Sequence, residues 1–119
     1  MTDAEISRAL ALAIGYAPDD VWQKSLHSVV VRRRCGGVFT WHHFDYRDPT
    51  VIWPIAVRYN MMPRKVLRKG AFLYGRWYCR VGMERIYLDA DTPEKVVAMA
   101  VIAHEAKDIA TAMAALKIQ

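Results

Sequence analysis

Apolar residues recur at helical spacing near the start of the chain. Ile6, Leu10 and Ile14, with Ala9 and Ala13, follow Thr2 and Glu5, which stand at the S/T-x-x-E spacing of a capping box. This predicts a helix over residues 3–14, stopped by Gly15. Residues 16–23 contain Ala-Pro-Asp-Asp, a turn cluster whose acids suit a connector, with room for one short helical turn over 21–24. The period then changes. Residues 28–33 carry the β-branched run Val29, Val30, Val31, and residues 38–44 are rich in β-branched and aromatic side chains. Gly36-Gly37 between them supplies the positive-φ positions of a tight turn, so the two runs read as a hairpin.

After the polar stretch 45–48, Asp48-Pro49 sets a good N-cap before proline at the first helical position. The helix predicted there turns Ile52, Ala56, Tyr59 and Trp53 inward and runs to Met62-Pro63, where the residue before proline leaves the α region. Pro54 removes one early backbone bond, a cost of up to ~3 kcal/mol that packing must offset. PRKVLRKG follows as a basic loop. Residues 71–81 alternate aromatics with arginine and read as a strand, or as a hairpin turning at Tyr74-Gly75-Arg76. Residues 82–84 turn the chain into a short strand over 85–88.

Asp91-Thr92-Pro93-Glu94 then caps a long closing helix. Drawn from 93 to 117 at ~1.5 Å per residue it is about 37 Å long, more than the width of a domain of this size. Either it overhangs, exposing the stripe Ile109, Met113, Leu116 for self-association or a partner, or it breaks near 104–108 and the tail folds back. The whole pattern is α+β: an antiparallel sheet of about four strands packed with three helices.

A chain of 119 residues makes a single domain, with 1–103 as its core and 104–119 as a C-terminal extension. Apolar residues are 54% and charged residues 24%, the balance of an ordered globular protein. The longest apolar stretches fall short of the ~20 residues a membrane span needs. The acidic opening MTDAEISRA lacks the charge pattern of a secretory signal, which points to the cytoplasm and to Cys35 and Cys79 as free thiols. The net charge of +5 is unevenly placed: residues 21–88 hold thirteen Lys and Arg against three acids, and the flanks hold four against nine. Such a basic middle suits an acidic partner, whether nucleic acid or a protein face.

Three stretches, FDYRDPTVIWPIAVRYN, GRWYC and DADTPEKVVAMAVI, together with TDAEISRALALAIG at the start, resemble a family of small tailed-phage and prophage proteins, close to those described as having a phage alpha-beta-alpha sandwich domain. The resemblance spans most of residues 2–103 and excludes the tail. It implies helices packed on an antiparallel sheet, with Thr92-Pro93-Glu94 opening the closing helix, and it implies no activity. The matching residues Asp45, Tyr46, Arg47, Asp48, Pro49 and Trp53 are accounted for by capping and packing.

Candidate chemistry is thin. His104-Glu105 with Asp108 echoes H-E-x-x-H without its second histidine. His42 and His43 are strand neighbours and point to opposite faces. The serines lie in no nucleophile-elbow setting, and no glycine-rich phosphate loop occurs. No cofactor or metal is expected, and an enzyme is disfavoured.

The basic residues carry the functional weight. Arg32, Arg33 and Arg34 divide between two strand faces. Arg64, Lys65, Arg68 and Lys69 form a second cluster near the aromatics Tyr74, Trp77 and Tyr78. The leading expectation is a non-catalytic phage or prophage accessory protein in the bacterial cytoplasm that binds a host protein, counter-defence being one such role. The alternative is a small basic nucleic-acid-binding module on the same residues. A homodimer through the C-terminal helix is a further expectation.

Overall fold

The computed structural model describes residues 1–81 and 87–106. Helix α1 (Asp3–Ala13) begins where Thr2 accepts from the Glu5 amide at 3.2 Å, and ends where Gly15, at φ 116°, lets the Tyr16 amide reach back to Ala11. A 3-10 turn (Pro18–Asp20) leads into β1 (Val21–Gln23). The turn predicted at 21–24 therefore lies a step earlier, and those residues pair instead, Val21 opposite Val31. Strands β2 (Val29–Cys35) and β3 (Val38–His43) form the predicted hairpin.

Helix α2 (Pro49–Tyr59) starts at the predicted cap, Asp48 accepting from the Thr50 amide at 2.9 Å. It stops short of Pro63. Asn60 adopts the left-handed conformation, and the Met61 and Asn60 amides bond back to Ala56 and Val57. Asparagine tolerates that conformation, so the helix closes in a Schellman turn before the proline can act. The helix accommodates the exposed Pro54, and Ile52, Ile55 and Ala56 are buried. The expected basic loop contains β4 (Arg64–Lys65), which pairs with β5 (Trp77–Arg80), and β5 pairs with β6 (Tyr87–Ala90).

The fold is α+β, but the described strands make two antiparallel three-stranded sheets, ordered β1-β2-β3 and β4-β5-β6, where a single sheet was expected. Helix α3 (Pro93–Glu105) is the reason. It packs on β5 and β6 on one side and on α1 and α2 on the other, while α1 covers β1 and β2. Helices thus fill the space between the sheets. Their shared core holds Ile6, Leu10, Val31, Ile52, Val96, Val97 and Val101, all essentially without exposure. Burying such side chains stabilises by roughly 1.5–3 kcal/mol each.

The closing helix does not continue to 117. It ends at Glu105, and Ala106 is extended (φ −70°, ψ 120°). The break falls within the window 104–108, and the helix is about 20 Å long. The stripe Ile109, Met113 and Leu116 lies outside the described residues. Among those described, no helix is long and apolar enough to cross a membrane.

Candidate functional site

The β2–β3 hairpin runs past the core. Val29, Val30 and Val31 are buried, but the strand emerges from Arg32 onward, and all six residues of β3 are exposed. Register decides which side chains share a face. Trp22, Val30 and His43 stand opposite one another across the sheet, followed by Arg32 beside Trp41 and Arg34 beside Phe39. Val31, packed under α1, belongs to the other face, so the Trp22, Arg32 and Trp41 face points outward.

That outward face is aromatic. Trp22, Phe39 and Trp41 are 58%, 56% and 47% exposed. The two indoles meet edge to face at 6.3 Å. The Arg32 guanidinium lies 4.8 Å from the Phe39 ring and 5.7 Å from Trp41, and Arg34 lies 5.8 Å from Phe39 on its other flank. Asp20, fixed in the 3-10 turn, closes on Arg32 at 2.8 Å. Arg33 points to the opposite face and donates to the Tyr16 hydroxyl at 2.8 Å. The three consecutive arginines therefore divide between faces as expected. Two of them serve to hold aromatic rings in place, and one of these is charge-matched.

The same hairpin offers an unpaired edge, since β3 is the last strand of its sheet among the described residues. The Phe44 amide bonds to the Val29 carbonyl at 2.9 Å. In an antiparallel ladder such pairs alternate, so Val38, Thr40 and His42 bond to β2, while the N–H and C=O groups of Phe39, Trp41 and His43 point away from it. Free backbone groups and exposed rings belong to the same residues.

The second cluster sits on the other sheet. Arg64 pairs across from Tyr78 and Lys65 from Trp77, so the two cations leave on opposite faces. Trp77 is half-buried and packed against the core. Arg68, Lys69 and Tyr74 are exposed on the turn segment joining β4 to β5.

The DYRDP segment is structural. Tyr46 is buried, its amide donates to Ser7 Oγ and its hydroxyl to Asp3. Arg47 grips Asp45 through Nε and Nη2 and reaches Asp3 through Nη1 at 3.1 Å. Burial pushes the Asp45 carboxyl up, but the bonds from Arg47 outweigh it and hold the group below its ordinary range. Burial, then the bond to Asp3, raises the Tyr46 phenol well above its usual value.

His104 meets Tyr59 edge to face at 5.9 Å, and Asp108 lies outside the described residues. Among the described residues no group of three or more His, Cys, Asp or Glu is placed to hold a metal ion.

Sequence reasoning placed weight on the arginines and passed over Trp22, Phe39 and Trp41. The period-two spacing of Phe39 and Trp41 shows that they share a face, but not that α1 covers the other one. Neither family models, nor curated proteins, nor solved structures match the chain.

Proposed function

We propose that this chain is a non-catalytic accessory protein of a phage or prophage that works by binding a protein of the host cell, interference with host defence being the role such binding serves. One observation carries the binding reading: three half-exposed aromatic rings share a sheet face with the free backbone groups of the edge strand β3. The phage setting rests on the sequence resemblance.

A protein suits this face better than a polyanion does. Arg32 is matched by Asp20, and Arg34 is stacked on Phe39. Aromatic side chains bury ~150–250 Å² each, so covering the exposed half of three rings removes about 300 Å² of apolar surface. At ~25 cal/mol per Å² that gives roughly 7 kcal/mol gross. This lies within the ~4–15 kcal/mol that association costs, so edge hydrogen bonds must supply part of the remainder. An extended segment of the partner added alongside β3 provides both.

The test is affinity capture from nuclease-treated host lysate with the native chain beside Trp41→Ala. A host protein retained by the native chain and lost with Trp41→Ala supports the reading. Capture of the same proteins by both, or of none by either, refutes it.

A further inference from the structure

The second sheet presents a different surface, and its chemistry is that of a polyanion site. Arg64, Lys65, Arg68 and Lys69 are all exposed within six residues of chain. Among the described residues, none of the four has a carboxylate within 4.0 Å. Asp89, the acid nearest them in register through Tyr78, is itself taken by Arg76 at 2.6 Å. The contrast with the first sheet is one of charge: there Asp20 matches Arg32, whereas these four cations have no such partner among the described residues.

Aromatic rings accompany these charges. Tyr78 and Tyr87 stand on the face of Arg64 and meet edge to face at 6.1 Å. They line a cleft of about 350 Å³ with Arg64 at its rim and Asn60 and Met62 along its side. Tyr87 is 58% exposed. Beyond the cleft, the turn leading to β5 holds out Phe72, which is fully exposed, and Tyr74. A purely protein-facing patch needs no row of uncompensated cations, and a duplex hides its base faces from such rings. Unpaired bases offer a π-face to each ring while their phosphates run past the cations.

We propose that single-stranded nucleic acid binds across the outward face of the second sheet, with bases stacked on Tyr78 and Tyr87 and phosphates held by Arg64 on that face and by Arg68 and Lys69 on the adjoining turn. This site is separate from the β3 edge and does not depend on it.

Fluorescence anisotropy with labelled single-stranded DNA and RNA of ~12 nucleotides tests it. Three phosphate contacts on a single strand give a salt slope of about −2.1, so affinity falls about eighteen-fold between ~50 and ~200 mM salt. Arg68→Glu with Lys69→Glu halves that slope or more, and Tyr87→Ala weakens binding at least ~5-fold. Arg8→Glu, the same kind of charge change on the exposed side of α1, leaves affinity close to native. No binding at ~50 mM salt overturns the proposal. So does an Arg8→Glu effect as large as that of the turn variants, or competition by poly-glutamate as effective as by the unlabelled oligonucleotide.

Discussion

The Tyr46 hydroxyl donates to Asp3 Oδ1 at 2.5 Å, which ties the first turn of α1 to the segment that opens α2, 43 residues further along the chain. Arg47, one residue on, reaches the other oxygen of the same carboxylate. Tyr46 and Arg47 therefore both bond to Asp3. Their role is to fix the two helix starts relative to each other.

Removing that hydroxyl has a measurable cost. Tyr46→Phe leaves Asp3 with Arg47 and solvent but deletes a bond to a charged group, so the expected loss is about 1–2 kcal/mol, read as a lower urea midpoint at unchanged m-value. The pH dependence has a defined sign. The phenol is raised in the folded state, so its contribution is complete below the unfolded value near ~10 and is lost as pH rises beyond it. Native protein should lose stability above pH ~10 more steeply than Tyr46→Phe. Parallel slopes would contradict the bond.

The two thiols should separate by accessibility. Cys35 is exposed at the hairpin end and Cys79 is buried, where desolvation pushes its thiol up to about 11. Thiolate is the reactive form, so a thiol reagent at neutral pH should label Cys35 promptly and Cys79 only on unfolding. Equal labelling of both in the native state would place Cys79 elsewhere.

Proline distinguishes the two sides of β3. His43→Pro removes an outward N–H and no ladder bond, so the sheet should persist with little loss of stability while partner binding falls. Thr40→Pro removes an N–H that bonds β2, so it should destabilise the hairpin itself by roughly 1–3 kcal/mol. Thermal unfolding of the pair checks this, the first variant melting near the native temperature and the second below it.

The helix starts were legible in the sequence because caps are local. Thr2, Asp48-Pro49 and Thr92-Pro93 each accept or prepare for an amide two or three residues away. The C-terminus of α2 was equally local at Asn60, but the more conspicuous Pro63 drew the boundary past it. Strands β1 and β4 were not legible, because two or three residues carry no period and exist only through the partner they meet. Nor does alternation say which strands share a sheet, so where four strands in one sheet were expected, the described residues hold six in two sheets, with α3 between them. The Arg32–Asp20 and Arg76–Asp89 pairs show the same limit: the acidic flanks return to match part of the basic middle, and only the fold shows which cations they match.

The central claim is that a host protein adds a segment alongside β3, and amide hydrogen exchange of the chain alone and with the captured partner tests it most directly. The outward amides of Phe39, Trp41 and His43 should exchange quickly in the free protein and slow by about a hundredfold or more in the complex, with residues 64–69 unchanged. Protection elsewhere with those three amides still exchanging quickly would contradict it.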